Sequence, residues 1–137
     1  MPPVDRYVAE TTFRVRYAET DAMGIVHHSN YIVFFELGRS HYARERGHSY
    51  AEIERSGFIL VVSGVQVRYV KAAVYEDLIT VKTWIAEMKS RRIVFAYEIV
   101  HAETSDLLVT GLTDHIGVDT AGKVKIIPDV WRKWSEG

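Results

Sequence analysis

The chain contains no cysteine, which excludes disulfides, thiolate metal sites and a cysteine nucleophile. It has no run of about 18 apolar residues, so no membrane-spanning segment is expected. Met1 to Glu10 lacks the apolar core of a signal peptide, so a cytoplasmic location is the expectation. Neither sign of charge dominates: the net charge is -1, which argues against a general nucleic-acid or membrane-surface binder. A small basic pocket for a phosphorylated ligand remains compatible with that balance. No Gly-x-Ser-x-Gly elbow, Walker loop, Gly-x-Gly-x-x-Gly or His-Glu-x-x-His is present, leaving serine hydrolases, NTPases, nicotinamide enzymes and zincins without support. There is no internal repeat, low-complexity segment or linker, and 137 residues suit a single domain, 1–137, with a real core.

What the chain does contain is a dense polar turn, Tyr17-Ala-Glu-Thr-Asp21-Ala-Met-Gly24-Ile-Val-His-His28-Ser-Asn-Tyr31, with a helical pattern immediately after it. Phe13, Val15 and Tyr17 alternate with Arg14 and Arg16, the signature of a half-buried strand, and residues 1–10 read as a lead-in. Tyr31, Phe34, Phe35 and Tyr42 then recur at helical spacing. Gly38 falls on the same face, where a glycine costs about 1 kcal/mol relative to alanine, so a close approach by a neighbour is expected there. Gly47 is placed to end the helix, and Ser49 with Glu52 to open a short second one by a capping box. Phe58–Val70, Leu78–Glu87, Arg92–Ala102 and Leu107–Asp119 read as strands, the third of them apolar on both faces and so covered on both sides. Val124–Ile127 reads as a last short strand, and Pro128 as the start of a terminal helical turn carrying Trp131 and Trp134. One helix followed by a run of strands gives an α+β class with an antiparallel sheet, and its unmanaged edges favour an oligomer.

The segment Asp21-Ala-Met-Gly24-Ile-Val-His-His28-Ser-Asn-Tyr31 with its helix resembles the hotdog-fold acyl-CoA thioesterases. It is similar to the 4-hydroxybenzoyl-CoA thioesterase family and, within it, to the Tol–Pal-associated branch. Phe35-Glu36, Val67-Arg-Tyr69, Glu76-Asp77-Leu78 and Val118-Asp119 extend the likeness from about Phe13 to about Trp131. The resemblance implies an antiparallel sheet wrapped around one long central helix, and hydrolysis of an acyl-CoA thioester to a free acid and CoA. It implies no cofactor, since CoA is part of the substrate, and a homo-oligomer, dimer or homotetramer, whose site straddles two subunits. The family's catalytic aspartate falls on Asp21; Tyr17, four residues before it, and His28, seven after it, stand where the Tol–Pal-associated branch has site residues. The aryl-CoA branch has an aromatic residue in place of His28, a departure that tilts the reading away from a dedicated 4-hydroxybenzoyl substrate.

The chemistry follows from the residue types. Asp21 would act as general base on water or attack the carbonyl itself. Backbone N–H groups near His28, where the loop enters the helix, would hold the oxyanion. Gly24 would let the loop turn and approach the ligand, and Asn30 and Ser29 compete as helix N-cap. Tyr31 reads as helix core touching the ligand edge, and Glu36 either as a polar helix residue or as a second carboxylate supporting the site across an interface. Lys89, Ser90 and Arg91, with Arg92, form a basic turn suited either to CoA phosphates or simply to solvent. A non-catalytic acyl-CoA or small-molecule binding module is the alternative function; a dehydratase lacks its histidine–acid pair, and the loop signature disfavours cystatin-like and NTF2-like folds.

Overall fold

The computed structural model describes residues 2–136; Met1 and Gly137, the two ends of the single-domain reading, lie outside the described residues. Five strands form one sheet: β1 Ala9–Arg14, β2 Ile59–Tyr69, β3 Leu78–Met88, β4 Arg92–His101 and β5 Leu107–Val118. Their order is β1-β3-β4-β5-β2, and every pairing is antiparallel. β4 is central, and eight of its ten residues are buried, which is why its sequence is apolar on both faces.

Between β1 and β2 the chain makes two helices, α1 Asn30–Glu45 and α2 Tyr50–Arg55. Tyr31, Phe34, Phe35, Gly38 and Tyr42 form the buried stripe of α1. Phe35 stacks on Tyr97 with ring centroids 4.3 Å apart, and Tyr42 meets Phe95 edge-on at 5.7 Å. Gly38 is explained by this packing: a Cβ there would strike the Thr83 hydroxyl and sit 2.8 Å from Val81 Cγ1. The close neighbour anticipated from the sequence is therefore β3. Gly47, at φ +98°, ends α1 with its N–H on the Arg44 carbonyl. Ser49 caps α2 by accepting the Glu52 N–H at 3.2 Å.

The first expected strand and the last differ from the sequence expectation. β1 begins at Ala9, inside the expected lead-in, and stops at Arg14, so Tyr17 lies in a short 3-10 turn, Tyr17–Glu19. Past Arg14 the strand partner is gone: Val15 bonds instead to the turn at Glu76 and Asp77, and the Glu19 carboxylate takes the Arg16 N–H at 2.7 Å and closes the turn. Val124–Ile127 forms no strand, only the isolated bridge Val118–Val124. Pro128 does open a terminal turn, α3 Asp129–Arg132, which buries Trp131 against Phe58 and Trp134. Among the described residues no helix is long and apolar enough to cross a membrane.

Candidate active site

The loop between the 3-10 turn and α1 is held first by backbone bonds, within itself and to the segment before β3. Asp21 N–H donates to the Ile25 carbonyl (2.8 Å) and Gly24 N–H to the Asp21 carbonyl (3.0 Å). Gly24 has φ +80°, a left-handed conformation that its missing Cβ permits. The Val26 N–H then bonds the Ala73 carbonyl at 2.9 Å, and Ile25 bridges to Val74, so the loop is sewn to the segment leading into β3.

Glu19 is the anchor that sequence reasoning passed over. It is buried, and its carboxylate is bound by the Arg16 guanidinium at 2.8 Å. Its carbonyl accepts both the His27 N–H (2.9 Å) and the Asn30 side-chain amide (2.8 Å). Asn30 is accordingly the first residue of α1 rather than its N-cap. Ser29 holds the cap position without a side-chain capping bond, because its N–H and hydroxyl are both turned to His27 Nδ1. A buried acid within a turn carries no distinctive spacing, and its partner Arg16 looked like a solvent-facing strand residue.

One opening collects the key groups. A cavity of about 290 Å³ is lined by Asp21, Ile25, Val26, His28, Tyr31, Tyr69, Val70, Lys71 and Ala72. Asp21 is half-buried; its Oδ1 accepts the Met23 N–H at 2.8 Å, which fixes the carboxylate, and its Oδ2 has no hydrogen-bond partner among the described residues. The His27 carbonyl is taken by the Asn30 N–H at 2.9 Å, yet the N–H of His28 likewise finds no acceptor among the described residues. The His28 ring stacks on His27 at 4.3 Å. Burial raises the Tyr31 phenol above its ordinary pKa, opposed in part by the Ala73 N–H that donates to its oxygen at 3.1 Å. Tyr69 is the second residue missed as a site residue: it reaches the cavity from β2 and donates its hydroxyl to the His28 carbonyl at 3.1 Å.

The remaining residues stand elsewhere. Tyr17 is 77% exposed, packs edge-on against Tyr75 and does not line this cavity. Glu36 is exposed and lines a separate polar hollow with Arg39, Ser40, Tyr50, Glu54 and Leu60. Lys89, Ser90 and Arg91 form the β3–β4 turn, where Lys89 pairs with Glu87 at 3.1 Å and the Ser90 carbonyl accepts the Ile127 N–H. This turn lies at the opposite end of β3 from Ala73 and Val74, roughly 35 Å away by the rise of an extended strand. A larger hollow, about 400 Å³, lies on the sheet around Trp84, Glu98 and Arg68. Its walls come from β2, β3, β4 and β5, and it is lined by neither Asp21 nor any residue of the loop before α1. Among the described residues no group of three His, Asp or Glu side chains is placed to hold a metal ion.

Comparison with known proteins supplies the wider setting. A family model described as the thioesterase-like superfamily matches residues 15–135. YneP of Bacillus subtilis is 34% identical over 113 residues, 82% of this chain and 81% of YneP. The acyl-CoA thioester hydrolase YbgC of Escherichia coli O157:H7 is 33% identical over 92 residues, 67% of this chain and 69% of YbgC. The crystal structure of a DHNA-CoA thioesterase from Staphylococcus aureus superposes with a TM-score of 0.86 at 35% identity, covering 93% of this chain and 85% of that one.

Proposed function

The chain belongs to the thioesterase-like superfamily and is an acyl-CoA thioester hydrolase, and we propose that Asp21 and the His28 backbone amide carry out the hydrolysis. The observation that supports this reading is one cavity lined by a carboxylate with one unspent oxygen and by a residue whose N–H is unspent. A thioester carbonyl seated between them would meet a base or nucleophile and an oxyanion donor together. In the first route Asp21 takes a proton from water as the oxygen of that water bonds to the carbonyl carbon. In the second the carboxylate itself bonds to that carbon and a mixed anhydride forms, later split by water. In both, charge gathers on the carbonyl oxygen, and a preorganised N–H at the head of a helix stabilises it by about 3 kcal/mol. Collapse of the intermediate breaks the C–S bond and releases CoA as its thiolate, a fair leaving group that needs no strong acid.

His28 is assigned to positioning water, substrate or Asp21; Tyr17, which does not line this cavity, is assigned such a role only at a site shared between two subunits, and the two spacings support placement in the Tol–Pal-associated branch. Gly24 keeps the loop turned, and Tyr31 forms a wall of the acyl pocket. Asn30 acts through the loop, by its bond to Glu19. We further assign a hotdog homo-oligomer, dimer or tetramer. β2 is an edge strand of 11 residues with Val61, Val62 and Val65 exposed, and α1 exposes Ile32, Val33 and Leu37. Such an edge and patch call for a partner. A second copy is also what a CoA-phosphate role for Lys89, Ser90 and Arg91 requires, since their own cavity is a strand's length away.

The test is thiol release from a panel of short, medium, long and aromatic acyl-CoAs, aromatic members being included because the S. aureus relative is a DHNA-CoA thioesterase. Asp21→Ala is expected to lower kcat by about a thousandfold while its circular dichroism and Tm stay those of the parent. Retention of kcat in the folded variant removes Asp21 from the mechanism. Saturable binding without any thiol release identifies a binding module instead.

A further inference from the structure

We propose that Tyr69 is a positioning residue for the oxyanion-binding amide of His28, an assignment that rests on the thioesterase reading above. His28 is a single residue between two anchored stretches of backbone. Before it, the His27 N–H is bonded to the Glu19 carbonyl and the His27 carbonyl to the Asn30 N–H, each at 2.9 Å. After it, the Ser29 N–H is turned back onto His27 Nδ1 at 3.2 Å, and Asn30 is tied to Glu19 at 2.8 Å. The His28 carbonyl lies ahead of the helical ladder, whose first acceptor is the cap residue Ser29. The Tyr69 hydroxyl fills that gap, donating to the His28 carbonyl at 3.1 Å.

The consequence is torsional. The bonds on His27 fix the peptide plane that carries the His28 N–H. The Tyr69 bond to its carbonyl, together with the Ser29 N–H on His27 Nδ1, holds the following plane from both sides, and with it the rotation about Cα–C of His28. With both planes held, the N–H keeps one direction and is organised before substrate arrives, which is the condition for full electrostatic stabilisation of an oxyanion. Tyr69 is itself well placed to hold: its ring meets Tyr31 at 5.7 Å and stands edge-on to His28 at 6.4 Å, and Tyr31 is buried and bonded to the Ala73 N–H. Tyr69 is 48% exposed, so water can replace the lost hydroxyl in a phenylalanine variant. The bond thus contributes little to folding and acts chiefly on geometry.

The experiment compares Tyr69→Phe with the parent on the acyl-CoA that the parent hydrolyses fastest. We expect kcat to fall by about tenfold or more, KM to change less than about threefold, and Tm to move by no more than about 2 °C. The same loss is expected when Tyr69→Phe is added to His28→Ala, because that background keeps the backbone carbonyl and N–H and lacks only the imidazole. An unchanged kcat overturns the assignment, as does a rise in KM alone, a kcat loss that follows a fall in Tm, or a loss that disappears in the His28→Ala background. A parent protein that releases no thiol from any member of the panel defeats the thioesterase reading itself, an outcome distinct from all of these.

Discussion

Two clusters each join a histidine and a tyrosine to one residue of α1, Tyr31 in the first and Arg39 in the second, and only one of them is equipped for chemistry. At the head of the helix, Asp21, His28, Tyr31 and Tyr69 line an open cavity and retain an unspent N–H and an unspent carboxylate oxygen. Further along, Arg39 donates to the Tyr97 hydroxyl at 3.1 Å, Tyr97 shares a 2.6 Å bond with Thr113, and Thr113 a 2.7 Å bond with His115 Nε2. Tyr97, Thr113 and His115 are each 1% exposed. Burial, reinforced by the Arg39 charge, pushes His115 down to about 3, so the imidazole is neutral throughout the physiological range. A histidine, a tyrosine and a hydroxyl within bonding distance resemble a catalytic relay on paper. Here Tyr97, Thr113 and His115 are sealed in the core, and His115 Nδ1, although it has no hydrogen-bond partner among the described residues, is out of reach of solvent and substrate. The contrast shows that access, rather than residue type or spare hydrogen-bonding capacity, separates a reactive cluster from a structural one.

The largest expected effect falls on the open cluster: the thousandfold loss of kcat given above for Asp21→Ala has no counterpart in the core, where His115→Gln is expected to leave kcat at pH 7 within about threefold. Comparable losses from both substitutions would erase the distinction between them. Next comes Gly38→Ala, between the α1 residues of the two clusters, whose added Cβ would strike Thr83 and Val81. Chemical denaturation should show it destabilised by roughly 1–3 kcal/mol, the usual cost of overpacking a filled core. At any one pH near neutrality the effect is smallest for the acid response, which also distinguishes the clusters. The folded pKa of His115, about 3, lies below the ordinary 6.5 of a histidine, so the unfolded chain binds the extra proton between them. Stability contributed by neutral His115 is complete above pH 6.5 and declines as pH falls towards 3, by up to about 1.4 kcal/mol per pH unit. His115→Gln should flatten that part of the stability–pH curve, measured by urea unfolding at successive pH values. An identical slope in parent and variant would mean the imidazole is not held neutral by its burial.

Much of the scaffold was readable from the residues. The four long strands fall within two residues of their expected ends, because their alternating or doubly apolar patterns and the turn residues between them are local signals. Gly38, Gly47 and Ser49 behave as their chemistry implies for similar reasons. The errors arose where partners from distant sequence decide. β1 ends early because Val15 finds the turn at Glu76 and Asp77 instead of β3, and Tyr17 is carried into an exposed turn by the Glu19–Arg16 pair. Asp21, Gly24, His28 and Tyr31 could be singled out together because they share one short segment. Tyr69 could not, since 41 positions separate it from the carbonyl it binds. Lys89, Ser90 and Arg91 stand out as a local charge run, but nothing local says which cavity such a run faces.

The central claim is that the His28 N–H receives the carbonyl oxygen of a bound thioester. It is tested most directly by following the backbone amide resonances of an Asp21→Asn variant, in which an acyl-CoA can be held unhydrolysed. Saturation with that ligand should move the His28 amide proton downfield further than any other backbone amide of the loop, as a new hydrogen bond to oxygen requires. A His28 resonance that stays in place while resonances elsewhere report a fully bound acyl-CoA would contradict the account.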